Sequence, residues 1–221
     1  AQGDGKFFYG LNVENGRIKD EGDYRLKAAM REICGTMARP LRLTPHQSII
    51  FCDLKETDRQ PLLDTLRSYG VPLTEEITNT RRWSMACPAL PTCGLAITES
   101  ERILPTLVDQ LETELAKLDL GNEVFTMRMT GCPNGCARPY NSDIGLVGKT
   151  AGKYTVFLGG RVMGDRLNFI YKDLVPEAEV IPALVQVFRY FKEAREADES
   201  FGDFCHRQGL ENLLAKCDVP V

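Results

Sequence analysis

Apolar and polar residues alternate along the first eighty positions in a way that predicts short strands and amphipathic helices in turn. Phe7-Phe8-Tyr9-Gly10-Leu11-Asn12-Val13 is a strand candidate, closed by the turn signal Asn15-Gly16. Leu26, Met30, Ile33 and Cys34 recur at helical spacing, which predicts a helix over 23–37 with Asp23 as N-cap. Arg39-Pro40 stops it. Leu41 to Leu43 and Ser48 to Leu54 are strand-like, and 58–69 is a second amphipathic helix ended by Gly70. The order strand, helix, strand, helix resembles half of a split βαβ arrangement.

The second part, 81–221, changes character. Two prolines make Cys87-Pro88-Ala89-Leu90-Pro91-Thr92-Cys93 irregular. A helix is expected over 99–118, with Ser100 near its start, and a strand over 123–129 leads into Thr130-Gly131-Cys132-Pro133-Asn134-Gly135-Cys136. Residues 143–147 and 154–158 form a hairpin candidate across 148–152. A long helix is expected over 176–197, with Pro182 early in it, and a short last turn over 211–216. The fold class is therefore α+β, in two parts, 1–80 and 81–221.

Bulk composition adds limits. The 221 residues are 43% hydrophobic and 26% charged, with net charge −4, which suits a protein with its own core and argues against a nucleic-acid binder. No apolar run approaches a membrane span and no signal peptide is visible. The chain opens with Ala1, as a processed or partial chain would. Eight cysteines in such a chain are expected as reduced thiols, some binding metal, in a reducing compartment such as the cytoplasm or a plastid stroma.

The cysteine spacing carries the chemistry. Cys87 and Cys93 have five residues between them, Cys132 and Cys136 three, and both first cysteines precede proline. Iron–sulfur clusters need soft thiolates converging from irregular loops. Gly131 and Gly135 let the backbone curl around a bulky inorganic group, and loop N–H groups can stabilise its negative charge. A structural zinc site, which prefers closer pairs, and four inert buried thiols are the alternatives. Cys34 and Cys52 lie on apolar faces and are expected as small core residues. Cys205, Cys217, His46 and His206 have no partner at ligand spacing.

At these residues the chain resembles the assimilatory sulfite reductase haemoproteins, within the nitrite/sulfite reductase family. The phrases are Ala86-Cys87-Pro88-Ala89-Leu90-Pro91-Thr92-Cys93-Gly94-Leu95-Ala96 and Arg128-Met129-Thr130-Gly131-Cys132-Pro133-Asn134-Gly135-Cys136. Tyr9 to Arg17, Arg42 to Pro45, Ile144 to Lys149 and Phe201 to Phe204 support them. The wording Cys-Pro-Ala-Leu-Pro-Thr-Cys is similar to the sulfite rather than the nitrite branch.

The resemblance implies a ferredoxin-like (parachute-type) half-domain followed by an α/β sirohaem and iron–sulfur domain. It implies a [4Fe-4S] cluster on Cys87, Cys93, Cys132 and Cys136, with Cys136 also bridging to sirohaem as the catalytic thiolate. The implied reaction is six-electron reduction of sulfite to sulfide, with electrons from ferredoxin or a flavoprotein. Family members are about twice this length, so the chain is similar to the C-terminal half only. An N-terminal half or a second copy would complete the site and bring the sulfite-gripping cations. A cluster-bearing electron-transfer module without catalysis, a nitrite reductase and a zinc-bound interaction domain are the competing functions. Asn134 is expected to serve the turn, as Asn tolerates the left-handed conformation, with a bond to cofactor as its other role. Arg81, Arg82, Arg128, Arg138, Lys149 and Lys153 are the nearest cations, expected either on sirohaem carboxylates or as solvated surface charge.

Overall fold

The computed structural model describes residues 1–217 and divides into two compact units, Ala1–Thr78 and Asn79–Val221.

The first unit contains β1 (Phe7–Leu11), β2 (Asp20–Glu21), β3 (Tyr24–Arg25), α1 (Leu26–Met37), β4 (Leu41–Leu43), β5 (Ile49–Leu54) and α2 (Glu56–Ser68). Its main sheet is antiparallel in the order β1-β5-β4, with Leu11 and Leu43 both opposite Ile49. Leu26, Ala29 and Ile33 of α1 and Leu62 and Leu66 of α2 bury against Leu11, Phe51 and Leu54. Each such side chain contributes about 1.5–3 kcal/mol when fully buried.

Two expectations fail here. Helix α1 begins at Leu26, and Asp23 does not cap it. Asp23 instead sits in the turn of a two-residue ribbon, because Asp20 pairs with Arg25 and Glu21 with Tyr24. Cys34 is exposed, not core: the face of α1 that buries is Leu26, Ala29, Met30 and Ile33, and Cys34 stands about 100° round from Ile33. Cys52 is buried in β5.

The second unit contains α3 (Asn79–Trp83), β6 (Met85–Ala86), α4 (Leu104–Lys117), β7 (Met127–Thr130), β8 (Ile144–Thr150), β9 (Lys153–Leu158), β10 (Phe169–Pro176), α5 (Val180–Ala194) and α6 (Phe201–Cys217). The sheet order is β10-β9-β8-β7-β6. Strands β6, β7 and β8 run parallel, and β8, β9 and β10 antiparallel.

Side-chain alternation gives the sheet two different faces. Ala86, Met127, Met129, Ile144, Leu146, Tyr154, Val156 and Leu158 join the apolar side chains of α4, α5 and α6 in one core. Phe125 meets the rings of Phe188, Phe191 and Phe201 edge-on within it. The intervening residues Met85, Arg128, Thr130, Gly145, Thr155 and Phe157 turn to the other face, away from the helices.

Several boundaries differ from the periodic pattern. Helix α4 starts at Leu104 rather than 99, because the Ser100 hydroxyl donates to the Met129 carbonyl at 2.7 Å instead of capping. Residues 123–126 are not strand: the backbone N–H and the hydroxyl of Thr126 both donate to Asp143, at 2.8 and 2.6 Å. The expected long helix is a 3-10 turn at Glu177–Glu179 followed by α5. The last turn is the end of the longer α6, which is interrupted by Gly209 at φ 71°.

Candidate metal centre

Strand topology brings the two cysteine-bearing loops to one end of the sheet. Strands β6 and β7 are parallel neighbours, with Met85 opposite Arg128 and Ala86 opposite Met129. Cys87 follows β6, and Cys132 follows β7 by two residues, so both cysteine loops leave the same end of the sheet. The Cys87 N–H donates to the Met129 carbonyl at 3.1 Å and carries the pairing one step past β6.

The first loop folds back on the second. Cys93 N–H donates to the Ala89 carbonyl at 2.7 Å, closing a tight turn between the first two cysteines. Ile97 and Thr98 N–H both donate to the Gly131 carbonyl, at 2.8 and 3.1 Å. The Gly131 N–H donates to Cys87 Sγ at 3.4 Å. A Cβ on Gly131 would lie 2.6 Å from both Ala89 Cβ and the Thr98 carbonyl oxygen, so only glycine lets the loops approach this closely. Cys87, Ala89 and Ala137 are buried together with Met85, with Ala96 packed against them. One alanine from beyond Cys136 therefore touches the cluster built by the other loop.

The thiols differ in setting. Cys87 is buried, Cys93 and Cys132 are half-buried, and Cys136 is exposed. Burial pushes the Cys87 thiol up; the Gly131 N–H pulls the other way and the nearby Cys136 adds to the rise. No disulfide joins any of the cysteines among the described residues.

The second loop is clamped from behind. Gly135 takes φ 69°, so the left-handed position falls to it and not to Asn134, which is an exposed turn residue beside it. Arg138 N–H donates to the Gly135 carbonyl at 2.7 Å, and the Tyr140 hydroxyl to the Pro133 carbonyl at 2.9 Å. The Tyr140 ring meets Phe157 of β9 edge-on at 5.3 Å. A Cβ on Gly145 would collide with the Pro139 carbonyl, so β8 also needs glycine to seat this turn.

The six nearby cations divide. Arg128 is 1% exposed, so the expectation of solvated surface charge fails for it. Its Nη1 donates to Asn141 Oδ1 at 2.7 Å and to the Arg138 carbonyl at 3.4 Å, and burial then the neighbouring Arg138 bring its guanidinium down to about 10. Arg81 pairs with Asp109 and, at 2.9 Å, with Glu112, and Lys149 lies 3.7 Å from Asp173. Arg138 and Lys153 are exposed and Arg82 is half-buried. The burial and bonding of Arg128 were not legible in the pattern, because a lone Arg among Met127 and Met129 carries no periodic signal.

The residues fit an iron–sulfur group by their own chemistry. Four free thiols stand on two loops that share backbone bonds, small residues pack beside Cys87, and an N–H already points at one sulfur. Two buried polar atoms of β7, Arg128 Nε and Thr130 Oγ1, have no hydrogen-bond partner. Among the described residues no three His, Cys, Asp or Glu side chains close on one point as ligands of a single ion.

Comparison with known proteins agrees with this architecture. Residues 77–221 match the nitrite and sulphite reductase 4Fe-4S domain, and residues 1–69 the nitrite/sulfite reductase ferredoxin-like half domain. The ferredoxin sulfite reductase of Synechococcus elongatus is 46% identical over 96% of this chain. The NADPH sulfite reductase hemoprotein beta-component of Staphylococcus carnosus is 44% identical over 95%. The chain spans about a third of the length of these relatives, 34% and 37%. The NirA protein of Mycobacterium tuberculosis shares the fold with TM-score 0.77 at 24% identity, covering 93% of this chain and 39% of that one. Dissimilatory sulfite reductase I shares it with TM-score 0.67 at 12% identity, over 97% of this chain and 70% of that one. The fold class is α+β with a ferredoxin-like half domain, and the chain belongs to the nitrite and sulphite reductase family.

Proposed function

We propose that this chain supplies the cluster and haem side of a sulfite reductase haemoprotein, with Cys87, Cys93, Cys132 and Cys136 as iron ligands. The observation that carries the proposal is the exit of both cysteine loops from neighbouring parallel strand ends, locked by the Gly131 backbone. Cys87 is the inner ligand, its thiolate charge relieved by the Gly131 N–H. Cys93 and Cys132 complete the ring from either loop. The exposure of Cys136 supports the reading that this thiolate would be the one shared between the cluster and sirohaem. Asn134 stays in the turn beside it.

When bound, the coupled centre supplies electrons singly for reduction of sulfite to sulfide by six electrons. The family description also names nitrite reductases, but the relatives named above are sulfite reductases. Electrons come from a ferredoxin or a flavoprotein; the names of these relatives print ferredoxin and NADPH. A second ferredoxin-like half, in the rest of a longer chain or in a second copy, completes the pocket and brings the cations that hold sulfite. A cluster held by reduced thiolates supports a reducing compartment, the cytoplasm or a plastid stroma. No helix among the described residues is long and apolar enough to cross a membrane.

Anaerobic reconstitution with iron and sulfide tests the ligand set. The expected product is a brown chain with iron and acid-labile sulfide in equal amounts, reduced in each of the four Cys→Ser variants and unchanged in Cys34→Ser. Sirohaem should then add a Soret band, whose coupling to the cluster Cys136→Ser removes. A colourless, iron-free chain overturns the reading.

A further inference from the structure

Arg128 heads the largest side chains fully buried among the described residues. Taking a guanidinium out of water costs several kcal/mol unless its donors are used. Met127 and Met129 flank it on the same strand and fill the helix-side core, so apolar packing does not call for a cation at this position. Arg128 lies on the opposite face, in register with Met85, which packs with Cys87 and Ala137.

Both hydrogen bonds of Arg128 go to the turn that follows Cys136. Asn141 Oδ1 and the Arg138 carbonyl accept from the same Nη1. Arg138 N–H in turn donates to the Gly135 carbonyl, which immediately precedes Cys136. The segment from Gly135 to Asn141 is thus a closed bracket around Cys136, pinned at its far end to β7. That same strand leads into Cys132. Cys136 is the exposed thiol of the four, with the least packing of its own to hold it.

We propose that Arg128 is a positioning residue for Cys136, a buried cation that ties the turn behind this cysteine to the strand leading into Cys132. The inference rests on the reading of Cys136 as a cluster ligand. Loss of the tether frees Cys136 while the packed Cys87 keeps its place.

Site-resolved alkylation with iodoacetamide tests it on the full chain, reconstituted anaerobically with iron and sulfide. All four cysteines should be protected in the unsubstituted chain. In Arg128→Met, Cys136 should be alkylated about tenfold faster, the scale of one hydrogen bond to a charged group, while Cys87 stays protected. Asn141→Ala removes the acceptor from the same tether at a half-buried position and should show the same selective exposure. It carries the test if Arg128→Met does not fold. The double variant should be no faster than the faster single one, because both act through one contact. Arg128→Lys, which keeps a donor cation, should recover part of the protection.

Protection of Cys136 in both variants, or exposure of all four cysteines together, overturns the positioning role. An unsubstituted chain that binds no iron and is alkylated at all four positions shows instead that the cluster reading has failed, and the inference falls with it.

Discussion

Three donors converge on the carboxylate of Asp203: Arg161 at 2.7 Å, Arg166 at 2.8 Å and the Ser200 hydroxyl at 2.8 Å. Burial alone would raise its pKa, but Ser200, Arg166 and Arg161 outweigh that and hold it at about 2. An unfolded Asp titrates near about 3.9. The stabilisation is therefore complete above about pH 4 and is lost as pH falls through about 2. Asp203→Asn should cost about 1–2 kcal/mol at pH 7, after allowance for solvent screening, and little near pH 2. Urea unfolding at both pH values checks this; an equal cost at both would contradict it. Ser200 is a local capping partner three residues before Asp203, but Arg161 and Arg166 are remote in sequence, so their convergence was not legible there. The cysteine pairs were, because ligand spacing is local. The burial of Arg128 was not, since it depends on what β6 and β8 place beside it.

At the scale of elements, the two cysteine loops depend on glycines that have no side chain to give way. A Cβ at Gly131 would press on Ala89 and on the Thr98 carbonyl. Gly148 of β8 in turn faces the Gly131 carbonyl and the Thr98 hydroxyl. Gly131→Ala should thus move the loops apart, destabilising the second unit by about 1–3 kcal/mol and cutting iron uptake while circular dichroism stays native-like. Full iron content in that variant would refute the contact. Strands β1 and β5, helix α2 and the β8–β9 hairpin follow from apolar periodicity and turn residues. Helix α4, strand β7 and the start of α1 depart from it where a side chain made a tertiary bond or a ribbon intervened: Ser100 to Met129, Thr126 to Asp143, and Asp20 opposite Arg25. Strand β10 and the first turns of α6 carried too little pattern to be foreseen.

At the scale of the whole molecule, the apolar clusters of the two units share no residue. Phe125→Ala empties the centre of an aromatic group and should cost the second unit about 3–5 kcal/mol. Hydrogen exchange should speed up in β7, β8 and α5; unchanged rates there would refute this packing role.

The sequence by itself determined the α+β class, the paired cysteines and the family resemblance, because periodicity, turn chemistry and ligand spacing are written in neighbouring residues. Only the tertiary structure decided that both cysteine loops leave one end of a parallel strand pair. It also decided that Gly131 closes the gap between them and that a buried Arg128 braces the turn behind Cys136. Those facts depend on which strands become neighbours and which face each side chain takes, and no local pattern encodes either.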